Sequence, residues 1–121
     1  MDSKEQEQNQ YLMANIHNKE LIKKGAFING EWLETSESNR TFAVKDPATG
    51  ELIATLPDLS LNEVDHAIRC ADKTFQDNYK NTLPRQRSQW LLKLYELMLE
   101  NIEDLAKIIT LENGKSLADS T

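Results

Sequence analysis

The hydrophobic period of the chain changes at Pro57, and no other feature constrains the fold as much. Between Phe27 and Pro57, apolar residues fall in short runs separated by Asn, Gly and Pro, which is typical of β-strands and turns. From Ser60 onwards they recur at helical spacing. Strands followed by helices predict an α+β segment, with N-terminal β-hairpins followed by three helices.

The sequence FINGEW, residues 27–32, predicts the first hairpin. It places Asn29 and Gly30 between two apolar pairs, and both residues tolerate the positive φ that a type I′ turn requires. A second pair of strands is predicted over residues 41–45 and 51–56, and the proline that follows is expected to end the latter strand. The connecting sequence DPATG is typical of a turn, because proline fixes φ and glycine supplies a left-handed residue.

Three helices are predicted from the residues that are typical of helix N-termini. SLNE, residues 60–63, is a capping box, in which the serine side chain accepts the N–H of the glutamate and the glutamate reaches back. The second helix is predicted to begin near Pro84, which suits a first helical turn, and the third near Asn101. Gly114 is predicted to end the third helix in the left-handed conformation.

Gly114, Lys115 and Ser116 superficially match the end of a phosphate-binding loop. The loop is excluded because the glycine that it needs five residues earlier is Ile109, and because the preceding residues are typical of a helix rather than a strand. The sequence SLAD at residues 116–119 is instead a capping-box pattern that predicts a fourth helix. Because a single helical turn is not stable in water, the chain is expected to be a segment cut at a helix start.

Composition limits the function classes. The chain has 121 residues and a formal charge of −6 with no basic stripe, which argues against a nucleic-acid partner. No stretch approaches the roughly 18 apolar residues of a membrane span, and the N-terminus lacks an apolar signal core. The single cysteine fits a reducing compartment. A cytoplasmic protein without a membrane partner is therefore expected.

The N-terminal residues 1–20 are predicted to form a mobile polar tail, because the opening MDSKEQEQNQ offers no apolar surface for packing. A weak helical pattern overlaps this region from Tyr11 to Lys24, with Gly25 as its stop. The remaining residues, 21–121, are predicted to belong to one domain.

Side chains suited to catalysis are few. His17 and His66 lie far apart in the sequence, and with Cys70 they do not form a metal-ligand pattern. Cys70 would need a nearby base to act as a nucleophile, and in mid-helix a cysteine more often behaves as a small buried hydrophobe. The four glycines are isolated and form no dinucleotide-binding fingerprint. We therefore predict no catalytic and no cofactor-binding residue in this chain.

Several of these stretches, taken in order, resemble the opening of the aldehyde dehydrogenase superfamily. They are FINGEW at 27–32, DPATGELIATLP at 46–57, SLNEVDHAIRCADKTF at 60–75, Arg87 ahead of a leucine-rich helix, and DLAKIITLENGKSLADS at 104–120. The resemblance covers residues 21–121, which would then be a truncated N-terminal part of an aldehyde dehydrogenase domain. Within the family, INGEW and TLENGK-x-L-A-x-S are most similar to succinate-semialdehyde dehydrogenases.

The resemblance implies an α/β enzyme in which this segment is part of the Rossmann-type NAD(P)-binding domain. It implies oxidation of a semialdehyde to a carboxylate, with NAD or NADP as the cofactor of the complete enzyme and none bound by this chain alone. The nucleophilic cysteine and the glutamate base of the family lie downstream of the matched region, and Cys70 does not match the motif of the nucleophile.

The resemblance also implies one binding feature. Many family members hold a monovalent cation with backbone carbonyls just before the Asp/Asn-Pro turn and with an acid in the E/D-x-G-K stretch. The matching positions are Val44, Lys45 and Glu112. Glu112 could instead be a solvated helix residue.

Three hypotheses for the chain remain open. It is the N-terminal segment of a semialdehyde dehydrogenase, inactive by itself and completed by the remainder of the fold. Alternatively, it is a non-catalytic interaction module that docks on a full-length homologue, or a non-functional truncated product. Exposed apolar faces would favour the second, and marginal folding the third.

Overall fold

A computed structural model describes residues 13–121, which divide into two compact units. One unit contains residues 13–23, Ala43–Thr55 and Glu96–Thr121, and the other contains Lys24–Phe42 and Leu56–Tyr95. The described chain forms two antiparallel two-stranded sheets and four α-helices, which confirms the predicted mixed α and β class.

The first hairpin forms at the predicted turn. Strand β1 (Ala26–Ile28) pairs antiparallel with β2 (Glu31–Leu33), and Phe27 lies opposite Trp32. Asn29 and Gly30 have φ values of 51° and 86°, which is the left-handed conformation that a type I′ turn requires. The short connection fixes the register, and the two aromatic rings lie 5.1 Å apart between centroids.

The second sheet pairs β3 (Thr41–Lys45) with β4 (Leu52–Pro57). The turn between them closes as the sequence predicts, because Gly50 takes a φ of 75° and its N–H donates to the Asp46 carbonyl over 2.8 Å. The prediction that Pro57 lies beyond the strand is wrong by one residue, since Pro57 is the last residue of β4. A proline is tolerated there because both strands of a two-stranded sheet are edge strands.

The helices begin where their capping residues predict. They are α1 (Leu61–Asp77), α2 (Pro84–Glu100), α3 (Ile102–Asn113) and α4 (Leu117–Ser120). Ser60 caps α1 with both halves of the capping box present, and Ser116 accepts the N–H of Asp119 at the start of α4. Gly114 ends α3 with φ 75°, as predicted. A short 3₁₀ helix, Tyr79–Asn81, connects α1 to α2.

The helix predicted from Tyr11 to Lys24 is wrong over most of its length. Residues 11 and 12 lie outside the described part, Met13 and Ala14 are helical, and a 3₁₀ turn follows at Lys19–Leu21. The side chain of Asn18 accepts the N–H of Glu20 over 3.2 Å. Asparagine competes in this way with helix hydrogen bonding, so the weak apolar period does not decide the local structure.

The predicted mobile tail, residues 1–20, overlaps a packed segment. Residues 1–12 lie outside the described part of the chain. From residue 13 the segment is anchored, because the Ile16 side chain is only 2% exposed. It packs in a cluster with Leu111, and four partly buried apolar residues surround the pair: Met13, Ile22, Ile53 and Ile108. Residues 13–20 thus include a buried isoleucine, which the polar sequence around it does not predict, and the domain boundary near residue 20 stays a prediction.

Helix α2 is the least covered of the four α-helices. None of its residues is buried. Its apolar side chains occupy more than half of the helix circumference and are roughly half exposed or more; they are Trp90, Leu91, Leu92, Leu94, Tyr95, Met98 and Leu99. A helix that is apolar on most sides is typical of the interior of a larger protein. Burial inside the described chain therefore does not account for the composition of this helix.

We expect two aliphatic truncations to separate the packed region from the uncovered helix. Ile16→Ala should lower the free energy of unfolding by about 2–5 kcal/mol, because it empties a buried site. Leu91→Ala should change it by less than about 0.5 kcal/mol, because 67% of the Leu91 side chain is exposed. Urea unfolding of the two variants measures the difference. Equal losses would contradict this assignment of core and open surface.

Candidate functional site

The candidate cation ligands lie at the ends of two elements of the same compact unit. Val44 and Lys45 are the last two residues of β3, and Glu112 lies one residue before the end of α3. Val44 is half-buried, whereas Lys45 and Glu112 are exposed. Backbone carbonyls and a carboxylate are hard oxygen donors, which suit an alkali or alkaline-earth cation better than a soft metal.

The end of α3 lies against the turn that follows β3. A Cβ built on Gly114 would lie 3.1 Å from Cγ of Pro47. The turn itself is held by Asp46, whose carboxylate accepts the N–H of Ala48 over 2.7 Å and the N–H of Thr49 over 3.3 Å. The structure thus brings the turn after Lys45 to the end of the helix that carries Glu112. The cation site itself stays a prediction.

The C-terminal sequence that resembles a phosphate loop is a helix end. Gly114 follows α3 directly, and its N–H donates to the Thr110 carbonyl over 2.9 Å. The Lys115 ammonium donates to the Asp119 carbonyl over 3.2 Å rather than pointing into a loop of backbone N–H groups. The predicted helix end at Gly114 is therefore confirmed.

Asp104 ties the N-terminal segment to α3, a role that the sequence does not reveal. Its carboxylate accepts the backbone N–H of His17 over 3.0 Å, that of Asn18 over 2.8 Å, and the Lys107 ammonium over 3.0 Å. The backbone donor of Asn18 contributes most to holding the pKa of Asp104 well below its usual range. An acid in the first turn of a helix is the only sequence signal, and it does not identify partners 86 residues away.

The same segment and the α2–α3 junction line the cavity of about 470 Å³ that includes Asp104. Among the residues that line it, Asp104 accepts the hydrogen bonds just described, and the side-chain amide of Asn18 donates to the side-chain carbonyl of Asn101 over 2.8 Å. The acidic residues Glu100 and Glu103 lie at its wall. The hydrogen bonds of Asp104 and Asn18 in this cavity form a joint that connects the N-terminal segment to the α2–α3 junction.

Glu63 forms a second joint, between the loop after β2 and the start of α1. Its carboxylate accepts the Ser36 hydroxyl over 2.6 Å, the Glu37 N–H over 3.1 Å and the Ser60 N–H over 2.8 Å. These donors, with the Ser36 hydroxyl first, lower the pKa of Glu63 to about 2. The sequence predicts the bond to Ser60 through the capping box, but the bonds to the loop depend on the tertiary fold.

The cysteine and one histidine lie together on α1, and the other histidine lies in the other compact unit. Cys70 Sγ lies 3.5 Å from Nε2 of His66, one helical turn earlier on α1, and Cys70 is half-buried rather than fully buried. His17 belongs to the other unit, where its imidazole lies 3.4 Å from Asp104. Within this described range there is no group of three or more His, Cys, Asp or Glu side chains that could hold a metal ion. In the same range no helix is long and apolar enough to cross a membrane.

Comparison with known proteins identifies the family of the chain. The sequence profile described as "Aldehyde dehydrogenase family" matches residues 32–121. The chain belongs to the aldehyde dehydrogenase family. This match includes both candidate cation segments, the Glu63 joint and all four helices of the described chain.

Curated relatives of this aldehyde dehydrogenase segment act on semialdehydes and related aldehydes, according to their names. The NADP⁺-dependent succinate-semialdehyde dehydrogenase of Saccharomyces cerevisiae is 44% identical over 110 residues, which is 91% of this chain and 22% of that enzyme. The 3-sulfolactaldehyde dehydrogenase of Pseudomonas putida is 39% identical over 108 residues, covering 89% of this chain and 22% of that enzyme. The chain therefore spans about a fifth of the length of these relatives.

Solved structures confirm the fold of the segment. The succinate-semialdehyde dehydrogenase of Burkholderia pseudomallei superposes with a TM-score of 0.81 at 34% identity, over 88% of this chain and 22% of that one. An NADP-dependent enzyme from E. coli gives the same TM-score at 30% identity and the same coverage of both chains. The hairpins and helices of this chain thus match those in the N-terminal part of aldehyde dehydrogenase structures.

The Glu63 joint makes a prediction about pH. The folded pKa of Glu63, about 2, lies below the ordinary value of 4.5, so the joint stabilises the fold fully above pH 4.5. This contribution is lost as the pH falls from 4.5 through 2. We expect the Glu63 carboxyl carbon to titrate near pH 2 by NMR, and Ser36→Ala to raise that midpoint because it removes the strongest donor. A midpoint near 4.5 in the unaltered chain would disprove the joint.

Proposed function

We propose that this chain is the N-terminal segment of an NAD(P)-dependent semialdehyde dehydrogenase, with succinate semialdehyde as the favoured substrate. The observation that carries the proposal is the 44% identity to the yeast succinate-semialdehyde dehydrogenase over 91% of the chain. A second relative of that name, from Schizosaccharomyces pombe, is 45% identical over 95 residues. Relatives named for malonate and glutarate semialdehydes are 42% and 41% identical. The semialdehyde group is therefore the feature that these named substrates share with succinate semialdehyde.

We further propose that the 121 residues do not catalyse the oxidation by themselves. The chain has one cysteine, and its neighbour on α1 is a histidine on an exposed helix surface rather than a base in a closed site. Its glycines are isolated, so no residue of this chain is assigned to NAD(P). NAD(P), when bound to a complete enzyme, would supply the hydride acceptor for aldehyde oxidation. The contribution of this segment is structural, through its hairpins and helices.

The partner that we propose is the remainder of the aldehyde dehydrogenase fold. Helix α2 supports this, because its apolar side chains are uncovered over more than half of its circumference. Such surface costs free energy in water and is favourable when another apolar surface covers it. A full-length homologue is the second candidate partner, since the same surface would be offered to it. A non-functional truncated product is the third reading, supported by the small core.

A fusion tests the catalytic proposal. This chain joined to the rest of the yeast succinate-semialdehyde dehydrogenase should reduce NADP⁺ when succinate semialdehyde is added, whereas the unfused chain should give no NADPH or NADH. The matched control replaces Leu91 and Leu94 by Asp in the fusion, which should abolish its assembly because charges would then lie on the covered face of α2. Activity of the unfused chain would overturn the inactivity proposal. A fusion that oxidises other aldehydes but no semialdehyde would overturn the substrate assignment.

Mixing the unfused chain with the remaining yeast segment, or with the full-length yeast enzyme, distinguishes the three hypotheses for the chain. Co-purification of the unfused chain with the remaining yeast segment supports the proposed partner, and co-purification with the full-length enzyme alone supports the interaction module. A monodisperse monomer that binds neither counts against docking. A broad, non-cooperative melt of such a monomer would support the truncated product.

We also propose that the carbonyls of Val44 and Lys45 and the carboxylate of Glu112 contribute to a monovalent cation site in the complete enzyme. The approach of Gly114 to Pro47 supports it, because it brings the two donor segments together. In the active fusion, Glu112→Gln should raise the K⁺ concentration for half-maximal stability several-fold by removing the negative ligand. Glu103→Gln, an exposed acid at the other end of α3, is the control. Equal K⁺ dependence in both variants would remove Glu112 from the site.

A further inference from the structure

His66 and Cys70 bring two metal-ligating atoms together on the surface of α1. They lie one helical turn apart, and Cys70 Sγ is 3.5 Å from Nε2 and 3.9 Å from Nδ1 of His66. The His66 side chain is exposed and the Cys70 side chain is half-buried, so both are within reach of a dissolved ion. The capping box at Ser60 and Glu63 fixes the start of the helix that carries them.

The separation matches the spacing of two ligands on one tetrahedral metal ion. Zinc–nitrogen and zinc–sulfur distances of about 2.0 and 2.3 Å, joined at a tetrahedral angle, place the two donor atoms about 3.5 Å apart. A metal ion that binds two ligands in a linear arrangement would need the nitrogen and sulfur atoms farther apart. Thiolate and imidazole together favour a borderline-soft metal over Mg²⁺ or Ca²⁺.

The surroundings of His66 favour a cation. The histidine lines a cavity of about 310 Å³ together with Glu31, Glu37 and Glu63, and the carboxylates of Glu37 and Glu63 accept hydrogen bonds from the Ser60 and Ser36 hydroxyls. Arg69 precedes Cys70 in the sequence, and its guanidinium forms an ion pair with Asp65 over 2.6 Å. The positive charge beside Cys70 is therefore paired with a carboxylate. Negative groups around a small concave surface raise the local concentration of cations.

We propose that His66 and Cys70 form a two-ligand site for Zn²⁺ or a similar borderline-soft divalent ion. When the metal–sulfur bond forms, the thiol proton of Cys70 passes to solvent, and His66 binds through the lone pair of Nε2 with its proton on Nδ1. Water molecules occupy the remaining positions, because the described residues offer no third His, Cys, Asp or Glu ligand that completes a cluster. The site is distinct from the cation site proposed above, which uses oxygen ligands in the other unit.

Cd²⁺ is the probe, because thiolate coordination gives it an ultraviolet charge-transfer band. Titration of the full 121-residue chain should reach one Cd²⁺ per chain, and Zn²⁺ should displace it. His66→Gln should weaken Cd²⁺ binding by at least about tenfold, because the second ligand then no longer acts intramolecularly. Alkylation of Cys70, the single cysteine of the chain, reports the same affinity through protection of the thiol.

The matched control moves the histidine instead of removing it. The double variant Asn62→His, His66→Gln keeps two histidines in the chain but places the imidazole two turns from Cys70, about 12 Å along the helix axis. It should bind as weakly as His66→Gln, and Cys70→Ser should lose the charge-transfer band. Far-ultraviolet circular dichroism confirms that all variants keep the helix content of the unaltered chain. If His66→Gln or the double variant binds Cd²⁺ as tightly as the unaltered chain, the thiol binds alone and the two-ligand site is overturned.

Discussion

The uncovered apolar surface of α2 is the constraint on which the rest of this structure depends. A helix with leucines and aromatics over more than half of its circumference is stable only where other apolar surface excludes water from it. The described residues bury four apolar side chains nearly completely, namely Ile16, Ile28, Ala106 and Leu111. So small a core contributes little against the conformational entropy of more than a hundred residues. The chain superposes on 22% of the Burkholderia pseudomallei enzyme, and the remainder of the fold that we propose as its partner would cover α2.

Two carboxylates hold distant parts of the sequence together where apolar packing is scarce. Asp104, which is 5% exposed, accepts two backbone N–H groups of the N-terminal segment. Glu63 accepts a hydroxyl and a backbone N–H from the loop after β2 in addition to its own helix cap. Charged acceptors form stronger hydrogen bonds than neutral ones, and they fix the direction of approach as well as the distance. These joints therefore determine where the hairpin loop and the N-terminal segment lie within their respective units.

The proposed function rests on sequence similarity to semialdehyde dehydrogenases rather than on a catalytic site in this chain. The described side chains form the structural contacts given above, and the catalytic proposal rests on the similarity of the chain to larger enzymes. The His66–Cys70 pair is the exception, because both residues lie on one helix and the proposal rests on the 3.5 Å distance between their side chains. Its proposed metal binding is independent of whether the segment works inside an aldehyde dehydrogenase, so each proposal can fail without the other.

The sequence by itself determined the local elements. Asn29-Gly30 set the first hairpin, Ser60 and Glu63 set the start of α1, and Gly114 set the end of α3, because backbone conformation and capping depend on neighbours within a few residues. The sequence also revealed the family, through short stretches in a fixed order. Only the tertiary structure decided that Ile16 is anchored rather than part of a mobile tail, and that Asp104 binds residues 86 and 87 positions away. Burial and long-range hydrogen bonds join residues that no local pattern relates, so their partners are set by the fold.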